Sequence, residues 1–213
     1  MHKLIRGAAP QCLTRYQYGR DNWHRVHSAD KAEIWEKLTA MQGQRCAYCE
    51  AAITAGQRHI EHFEQRRSQP ALTFVWGNLF GSCNNEHSCG KHKDNKAGIY
   101  DPADLLKPDI DNPDDYFIFV YDGTIQAREN LNEIQQRRAL ETLRILNLDA
   151  EHGSLRQQRR RVLSGYLETA ETLRALCEEL SPDAWQQLLE EELALIAELP
   201  FVTAIRHLLA PPY

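Results

Sequence analysis

Two close pairs of cysteines constrain this chain more than any other feature of its sequence. Cys46 and Cys49 have the two-residue spacing of a zinc knuckle, and Cys83 and Cys89 follow with five residues between them. The first residues lack the apolar stretch and cleavage site of a secretory signal, so we expect a cytoplasmic protein whose thiols stay reduced. The pairs therefore predict one structural zinc ion bound by four thiolates, and not a disulfide framework.

The 213 residues are enough for one or two domains with a sizeable core. Hydrophobic residues make up 42 % of the chain and charged residues 26 %, as in an ordinary globular protein. No run approaches the roughly 20 apolar residues that a membrane span needs. We therefore expect no membrane partner.

Charge and histidine are distributed unevenly. Residues 1–100 hold 14 Lys and Arg against 9 Asp and Glu, whereas residues 101–213 hold 11 against 21. Seven of the nine histidines lie in the first hundred residues. This pattern indicates a chemical or nucleic-acid-facing module followed by an acidic, Leu-rich helical module that packs or binds a partner.

The periodicity predicts a strand, strand, helix unit after a first helix. Helix signals run from Ser28, a candidate N-cap, to Gly43, a candidate C-terminal stop. Residues 58–63 alternate like a strand, residues 72–76 form a second strand-like run, and residues 89–97 are compatible with a short helix.

The second half is predicted to contain a hairpin and three helices. A Pro-rich acidic connector leads to residues 116–125, where Asp122-Gly123 favours a tight two-residue turn. From Asn130 onward the apolar period becomes helical, with a long second helix up to Leu180 and a third that opens at Ser181-Pro182.

Several isolated residues are expected to play no chemical role. Cys12 and Cys177 are interpreted as small buried apolar residues. Arg156, Arg159 and Arg160 share a helix face at i, i+3 and i+4, and we expect that face to be exposed to solvent or paired with acidic residues of the same helix.

The stretch from Cys46 to Lys96 carries the motifs. Glu61-His62 lies on the predicted strand, Asn78 follows sixteen residues later, and His87 nine residues after that. With the two cysteine pairs, this order resembles the HNH, or ββα-metal, endonucleases of the zinc-knuckle kind. The segments CAYCE, IEHF, W-x-N-L-F-x-S-C and C-G-x-x-K-D resemble in particular the PtuB type, the nuclease subunits of Septu and retron-associated antiphage systems.

The resemblance implies roles for three of these residues. His62 would be the general base, Glu61 a ligand of a catalytic divalent cation such as Mg²⁺, and Asn78 the brace of the loop that orients the base. The chemistry is compatible, because an imidazole can take a proton from water and a carboxylate binds hard cations. Since neighbouring residues of a strand point to opposite faces, we expect a bulge or twist that brings Glu61 and His62 together.

The residue that completes the catalytic metal site remains open between three candidates. A spacing of nine residues after Asn78, as in many HNH motifs, reaches His87. If Cys89 is instead taken as the cysteine that precedes the ligand, the ligand position falls on Gly90. His87 is slightly preferred over Asp94, because a neutral imidazole is a ready metal ligand, and His92 is the third candidate.

Basic residues beside the motif are predicted to bind substrate phosphates. They are Arg66, Arg67, Lys91 and Lys93, with Lys96 nearby.

The resemblance also implies partners. It predicts a PtuA-like ATPase and, for a retron system, a reverse transcriptase with its RNA–DNA. The sequence has no P-loop, so ATP handling would come from that ATPase. DNA is the leading substrate, and the alternatives are cleavage of RNA such as tRNA, which would arrest growth, or an inactive zinc-dependent binding subunit.

The predicted organisation has four parts in an α+β protein. Residues 1–27 form a lead-in, residues 28–100 the nuclease module, residues 101–129 the acidic connector with its hairpin, and residues 130–213 the helical region that docks the partner.

Overall fold

The computed structural model describes residues 1–210, and this part of the chain is α+β, as the sequence predicts. It contains seven α-helices and two small antiparallel sheets. In chain order the elements are α1 Ser28–Gln42, β1 Arg58–His62, β2 Leu79–Cys83, α2 Cys89–Asn95, β3 Phe117–Phe119, β4 Ile125–Ala127, α3 Glu133–Leu146, α4 Ser154–Ser164, α5 Leu167–Glu179, α6 Pro182–Ile196 and α7 Val202–Leu209. Strand β1 pairs with β2, and β3 with β4.

Helix α1 matches its predicted limits closely. Its N-cap is His27, one residue before the expected Ser28, and its C-cap is Gly43 with a φ of 65°. A left-handed backbone at this position is what glycine adopts at low cost.

The second predicted strand is wrong. Residues 70–72 and 76–78 form short 3₁₀ turns, and the strand is β2, which begins at Leu79. All five residues of β2 are buried, so this strand shows no alternation of apolar and polar residues that the sequence pattern would reveal.

The hairpin is present, but its turn is larger than predicted. The amide of Gly123 donates to the carbonyl of Val120, and the amide of Val120 donates to the carbonyl of Thr124. Gly123 has a φ of 90°, whereas a type I′ turn would also require a positive φ at Asp122.

The described part of the helical region has five helices in place of the three predicted. The long second helix divides at Gly165 and Tyr166 into α4 and α5, and α7 follows Pro200. The opening of α6 is as predicted, because the Ser181 side chain accepts from the amide of Ala184 and Pro182 is the first helical residue. Residues 211–213 of the predicted region lie outside the described residues, and none of the described helices is long and apolar enough to cross a membrane.

Two of the isolated residues differ from expectation. Cys12 is buried as predicted, but Cys177 is exposed. Arg159 is only 1 % exposed, whereas its helix face was expected to be solvated or paired with acidic residues of the same helix. Its guanidinium donates to the carbonyls of Gly123 and Leu148, so it joins the hairpin turn to the loop before α4. A charge is tolerated there because Nε and Nη2 donate to these carbonyls and the Asp149 carboxylate is 3.1 Å away.

The lead-in residues are part of the core. Met1 and Leu4 pack in the cluster that includes the cysteine pairs and α7. Trp23 belongs to a second cluster with Ile34 and Leu38 of α1 and Leu79 of β2. The first 27 residues therefore contribute to both clusters and pack against β2 through Leu79 and Phe80.

Candidate active site

Four buried cysteines converge beside the β1–β2 sheet. The Sγ atoms of Cys46, Cys49, Cys83 and Cys89 all lie within 4.8 Å of one another, and those of Cys49 and Cys83 are 4.0 Å apart. A tetrahedral zinc ion with Zn–S bonds of about 2.3 Å requires sulfur separations of about 3.8 Å. The cluster therefore fits zinc in ligand type, number and spacing.

The backbone delivers these thiols from three elements. Cys46 and Cys49 lie on a knuckle loop that closes through the amide of Glu50, which donates to the Cys46 carbonyl. Cys83 ends β2 and Cys89 begins α2. A metal bound here would link the loop, the sheet and the helix.

The electrostatics of the cluster favour a metal ligand set. Burial alone would raise the pKa of Cys46, but hydrogen bonds from Cys49, Cys83 and Cys89 hold it well below its ordinary value. The hydrogen bond to Cys46 raises the pKa of Cys49, and burial raises the pKa of Cys89, so the cluster stabilises one thiolate among neighbouring thiols. Because four thiolates complete a tetrahedron, the site leaves no position for a substrate, and it fits a structural role.

An open cavity of about 400 Å³ lies along β1 and α2. Its lining includes Glu61, His62, Arg66, Arg67 and Asp94. The cavity thus combines two carboxylates, an imidazole and two guanidinium groups, which is the chemistry that the sequence predicts for a phosphodiester substrate.

Glu61 and His62 reach the cavity without a bulge. Strand β1 pairs with β2 in continuous register from Arg58 opposite Cys83 to His62 opposite Leu79. In a two-stranded sheet each strand has one free edge, and four consecutive residues, 59 to 62, line this cavity. Side chains from both faces of β1 therefore line the cavity, and of the two expected devices, a bulge or a twist, the bulge is wrong.

His62 is held as a neutral imidazole. Its Nε2 lies 3.0 Å from the carbonyl oxygen of Thr73, which can only accept, so Nε2 carries the proton and Nδ1 is free to accept one. The ring packs edge-on against Trp23 with centroids 4.5 Å apart. Burial, aided by the charge of Arg66, lowers the pKa of His62 to about 4.

Glu61 is a buried, ionised carboxylate. Burial alone would raise its pKa, but the Lys93 ammonium and a hydrogen bond from His59 hold the pKa below its ordinary value. The Nζ atom of Lys93 lies 2.8 Å from Glu61 Oε1 and 2.5 Å from Asp94 Oδ1. The two carboxylates therefore already accommodate one positive charge between them.

The absence of a side chain at Gly90 makes room for this carboxylate. A Cβ atom at position 90 would lie 2.3 Å from Glu61 Oε2, which is closer than any real contact. Gly90, a candidate ligand position in the sequence, thus has no side chain, and the Glu61 carboxylate occupies the space beside it.

His59 is a site residue that the sequence interpretation missed. Its Nε2 lies 3.0 Å from Glu61 Oε2 and its Nδ1 lies 3.0 Å from Asn84 Oδ1. Burial would lower the pKa of His59, but Glu61 raises it above its ordinary value. The signal was the i, i+2 spacing from Glu61, which places both residues on one face of the strand.

Asn78 contacts the loop that follows β1. Its Oδ1 accepts from the amide of Glu64 at 2.8 Å, and its Nδ2 donates to the carbonyls of Glu64 and Leu72. Its backbone carbonyl accepts from the amide of Phe63. These bonds hold the chain immediately after His62, which is what the bracing role requires.

The candidates for the third metal ligand lie in different places. Asp94 lines the cavity, 42 % exposed. His87 is exposed, with Nδ1 3.2 Å from Lys96 Nζ, and is not among the described residues that line the cavity. The Nδ1 of His92 lies 2.9 Å from the carbonyl of Ile145, on the side facing α3. The structure places Asp94 beside Glu61. His87, the preferred third metal ligand in the sequence prediction, does not lie there.

The residues predicted to bind substrate phosphates do not all face the cavity. Arg66, Arg67 and Lys91 line the cavity, although Lys91 lies 3.5 Å from the Glu86 carboxylate. Lys93 is buried, and its Nζ is engaged by Glu61, Asp94 and the carbonyl of His62. The geometry gives Lys93 a place inside the site and not on its substrate-facing surface.

A buried thiolate cluster beside an open, carboxylate-containing cavity fits the general class of zinc-stabilised, metal-dependent hydrolases. No family model matches the chain. Among curated proteins it is 27 % identical over 137 residues to "Retron Vc95 putative HNH endonuclease" of Vibrio cholerae serotype O1 biovar El Tor, covering 61 % of this chain and 63 % of that relative. It is also 27 % identical over 118 residues to "Septu protein PtuB" of Bacillus thuringiensis, covering 54 % of this chain and 41 % of that relative.

The matches thus span less than two thirds of the length of either relative. Together they confirm the resemblance to HNH nucleases of the PtuB type that the motifs indicate.

Proposed function

We propose that this protein is a metal-dependent HNH endonuclease that hydrolyses phosphodiester bonds, with DNA as its leading substrate. The observation that carries the proposal is the arrangement of Glu61, His62 and Asp94 around one cavity at the free edge of β1. The names of the two relatives support a nuclease that acts in antiphage defence.

His62 is the proposed general base. Its Nδ1 is unprotonated because Nε2 donates to the Thr73 carbonyl, and burial keeps the ring neutral near pH 7. It accepts a proton from a water molecule as that water attacks the phosphorus atom. Trp23 and the Thr73 carbonyl keep the ring from turning.

Glu61 and Asp94 would hold the catalytic divalent cation, for which Mg²⁺ is the candidate. When bound, such a cation stabilises negative charge on the phosphoryl and leaving oxygens. The donor set fits a hard cation, because it consists of carboxylate oxygens with the His59 imidazole alongside. Arg66 and Arg67 would bind phosphates on either side of the scissile bond.

The zinc cluster of Cys46, Cys49, Cys83 and Cys89 would keep α2 in place against β1. His87 and Asn78 would support the site from outside the cavity.

The acidic helical region would bind a PtuA-like ATPase. Both relatives carry names from multi-gene defence systems, which supports a partner-dependent nuclease.

The test is a cleavage assay on the chain alone and co-purified with a PtuA-like ATPase, offering DNA and total RNA. Omission of Mg²⁺ is the metal control, because a chelator would also threaten the zinc cluster. We expect His62→Ala to reduce the cleavage rate by about 10²–10⁴-fold. His152→Ala, on the exposed loop before α4, should cleave like the native chain.

Cleavage of one nucleic acid that requires both Mg²⁺ and His62 would support the proposal and decide between DNA and RNA. Equal cleavage by the His62→Ala variant would contradict it.

A further inference from the structure

Two more cavities share lining residues with the active-site cavity. A cavity of about 430 Å³ lies next to Trp23 and shares Arg66 with the active-site cavity. Another, of about 370 Å³, lies next to Tyr100 and shares Gln65 and Arg67. Residues 65–67 therefore link the three cavities, because each flanking cavity shares lining residues of this segment with the active-site cavity.

The cavity beside Trp23 has an aromatic rim. Tyr18 lines it and is 55 % exposed, and the Arg20 side chain beside it is 61 % exposed. Trp23 and Thr73 also line this cavity, and these are the two residues that hold the His62 ring. A ligand in this cavity would therefore lie directly behind the proposed general base.

The cavity beside Tyr100 has an apolar rim. Ile99 lines it and is fully exposed, next to Gly98 and Pro102. Its charged lining residue among the described residues is Arg67. Both flanking cavities thus pair a shared arginine with an exposed side chain on which a planar group can pack.

These dimensions suit single nucleotides. Sites for small ligands have volumes of about 300–1,000 Å³, and each cavity falls at the low end of that range. A base can enter such a cavity only when it is unstacked and unpaired. In a duplex the bases are stacked inside, and the protein meets sugar and phosphate.

We propose that the three cavities form a track for single-stranded nucleic acid across the active site. This inference rests on the proposed nuclease function and names the form of its substrate. One base stacks on Tyr18, the scissile phosphate lies between Arg66 and Arg67, and a base on the other side packs against Ile99. Aromatic stacking with basic backbone contacts is the general mode of binding single strands.

The test measures binding with the zinc-loaded full chain carrying His62→Ala, which prevents cleavage. Fluorescence anisotropy is recorded with a labelled 12-nucleotide single strand, as DNA and as RNA, and with the matching blunt duplex. We expect the tighter-bound single strand to bind at least tenfold more tightly than the duplex.

Variants at Tyr18 test the stacking contact. Loss of a base–aromatic stack costs about 1–3 kcal/mol, so Tyr18→Ala should weaken single-strand binding by about 5- to 150-fold. Tyr18→Phe, which keeps the ring, should bind like the parent. Tyr121→Ala is the matched control, because Tyr121 is a 66 % exposed tyrosine at the distant hairpin turn.

The outcomes separate the two proposals. Equal or tighter binding of the duplex, or no effect of Tyr18→Ala, overturns the single-strand track and leaves the nuclease proposal intact. Binding of neither form, by the chain alone and with the co-purified ATPase, also overturns the single-strand track, whereas the nuclease proposal is decided by the separate cleavage assay.

Discussion

The cysteine cluster and the active-site cavity lie on the same β1–β2–α2 unit but have opposite designs. The cluster is fully buried, contains one kind of ligand and fits a complete tetrahedron. The cavity is open, mixes carboxylates, imidazoles and guanidinium groups, and leaves part of Asp94 exposed. The difference indicates that one site stabilises the fold while the other keeps room for a substrate.

Helix α2 connects the two sites. Its first residue, Cys89, belongs to the cluster, and its second, Gly90, packs against the Glu61 carboxylate. One turn later Lys93 contacts Glu61 and the carbonyl of His62. The position of the cavity wall therefore depends on the cysteine cluster.

The largest effect is expected from Cys46→Ser. Structural zinc in small domains binds with apparent free energies of about 10–16 kcal/mol, comparable with the whole stability of a typical domain. We expect the variant to lose its zinc and the cooperative unfolding transition of the native protein. Metal analysis and thermal unfolding monitored by circular dichroism measure both.

Cys177→Ser is the control for Cys46→Ser, because Cys177 is exposed and outside the cluster. It should keep one zinc ion per chain and the native unfolding temperature. A zinc-free Cys46→Ser protein that unfolds like the native chain would show that the cluster is dispensable.

An intermediate effect is expected from Asn78→Ala. The substitution leaves the amide of Glu64 and the carbonyls of Glu64 and Leu72 without their side-chain partner. An unsatisfied buried polar group costs about 1–3 kcal/mol, so we expect the free energy of unfolding to fall by about 2–4 kcal/mol. Urea denaturation measures this change.

Asn130→Ala, at an exposed asparagine before α3, is the matched control and should change the free energy of unfolding by less than about 0.5 kcal/mol. A similar small change for Asn78→Ala would mean that Asn78 does not brace the loop after His62.

The smallest effect is expected for the third metal ligand. Asp94→Asn should weaken binding of Mg²⁺ or Mn²⁺ at least about tenfold, because it removes one of the two carboxylate charges in the cavity. His87→Gln should leave the affinity unchanged, since His87 lies outside the cavity lining. Calorimetric titration of the zinc-loaded chain distinguishes the two, and the reverse order would favour the His87 assignment from sequence.

Much of the unit could be predicted because its signals are local. Helix α1 has a glycine stop, β1 has a strand-like residue pattern although its burial does not alternate, and the cysteine spacing selects a metal ligand set. Strand β2 begins at Leu79, later than the predicted residues 72–76. It is buried on both faces and contains Gly81, so it lacks the period-2 pattern by which a strand is predicted. The break between α4 and α5 was missed because apolar residues continue at helical spacing through Gly165 and Tyr166.

The candidate site divides in the same way. Glu61, His62 and Asn78 were found because their residue types and spacing carry the motif. The sequence did not predict that His59 contacts Glu61, that His87 lies outside the cavity, or that Lys93 is buried. Each of these depends on which side chains meet across β1 and α2.

The sequence by itself determined the ligand set of the cysteine cluster, the acidic and imidazole pair on one strand, and the division into a basic and an acidic half. Only the tertiary structure decided that Asp94 joins Glu61, that Gly90 leaves space for that carboxylate, and that Tyr18 lines one cavity with Trp23 and Thr73. The physical reason is that spacing along the chain specifies which face of an element a side chain occupies, whereas its partners depend on how separate elements pack.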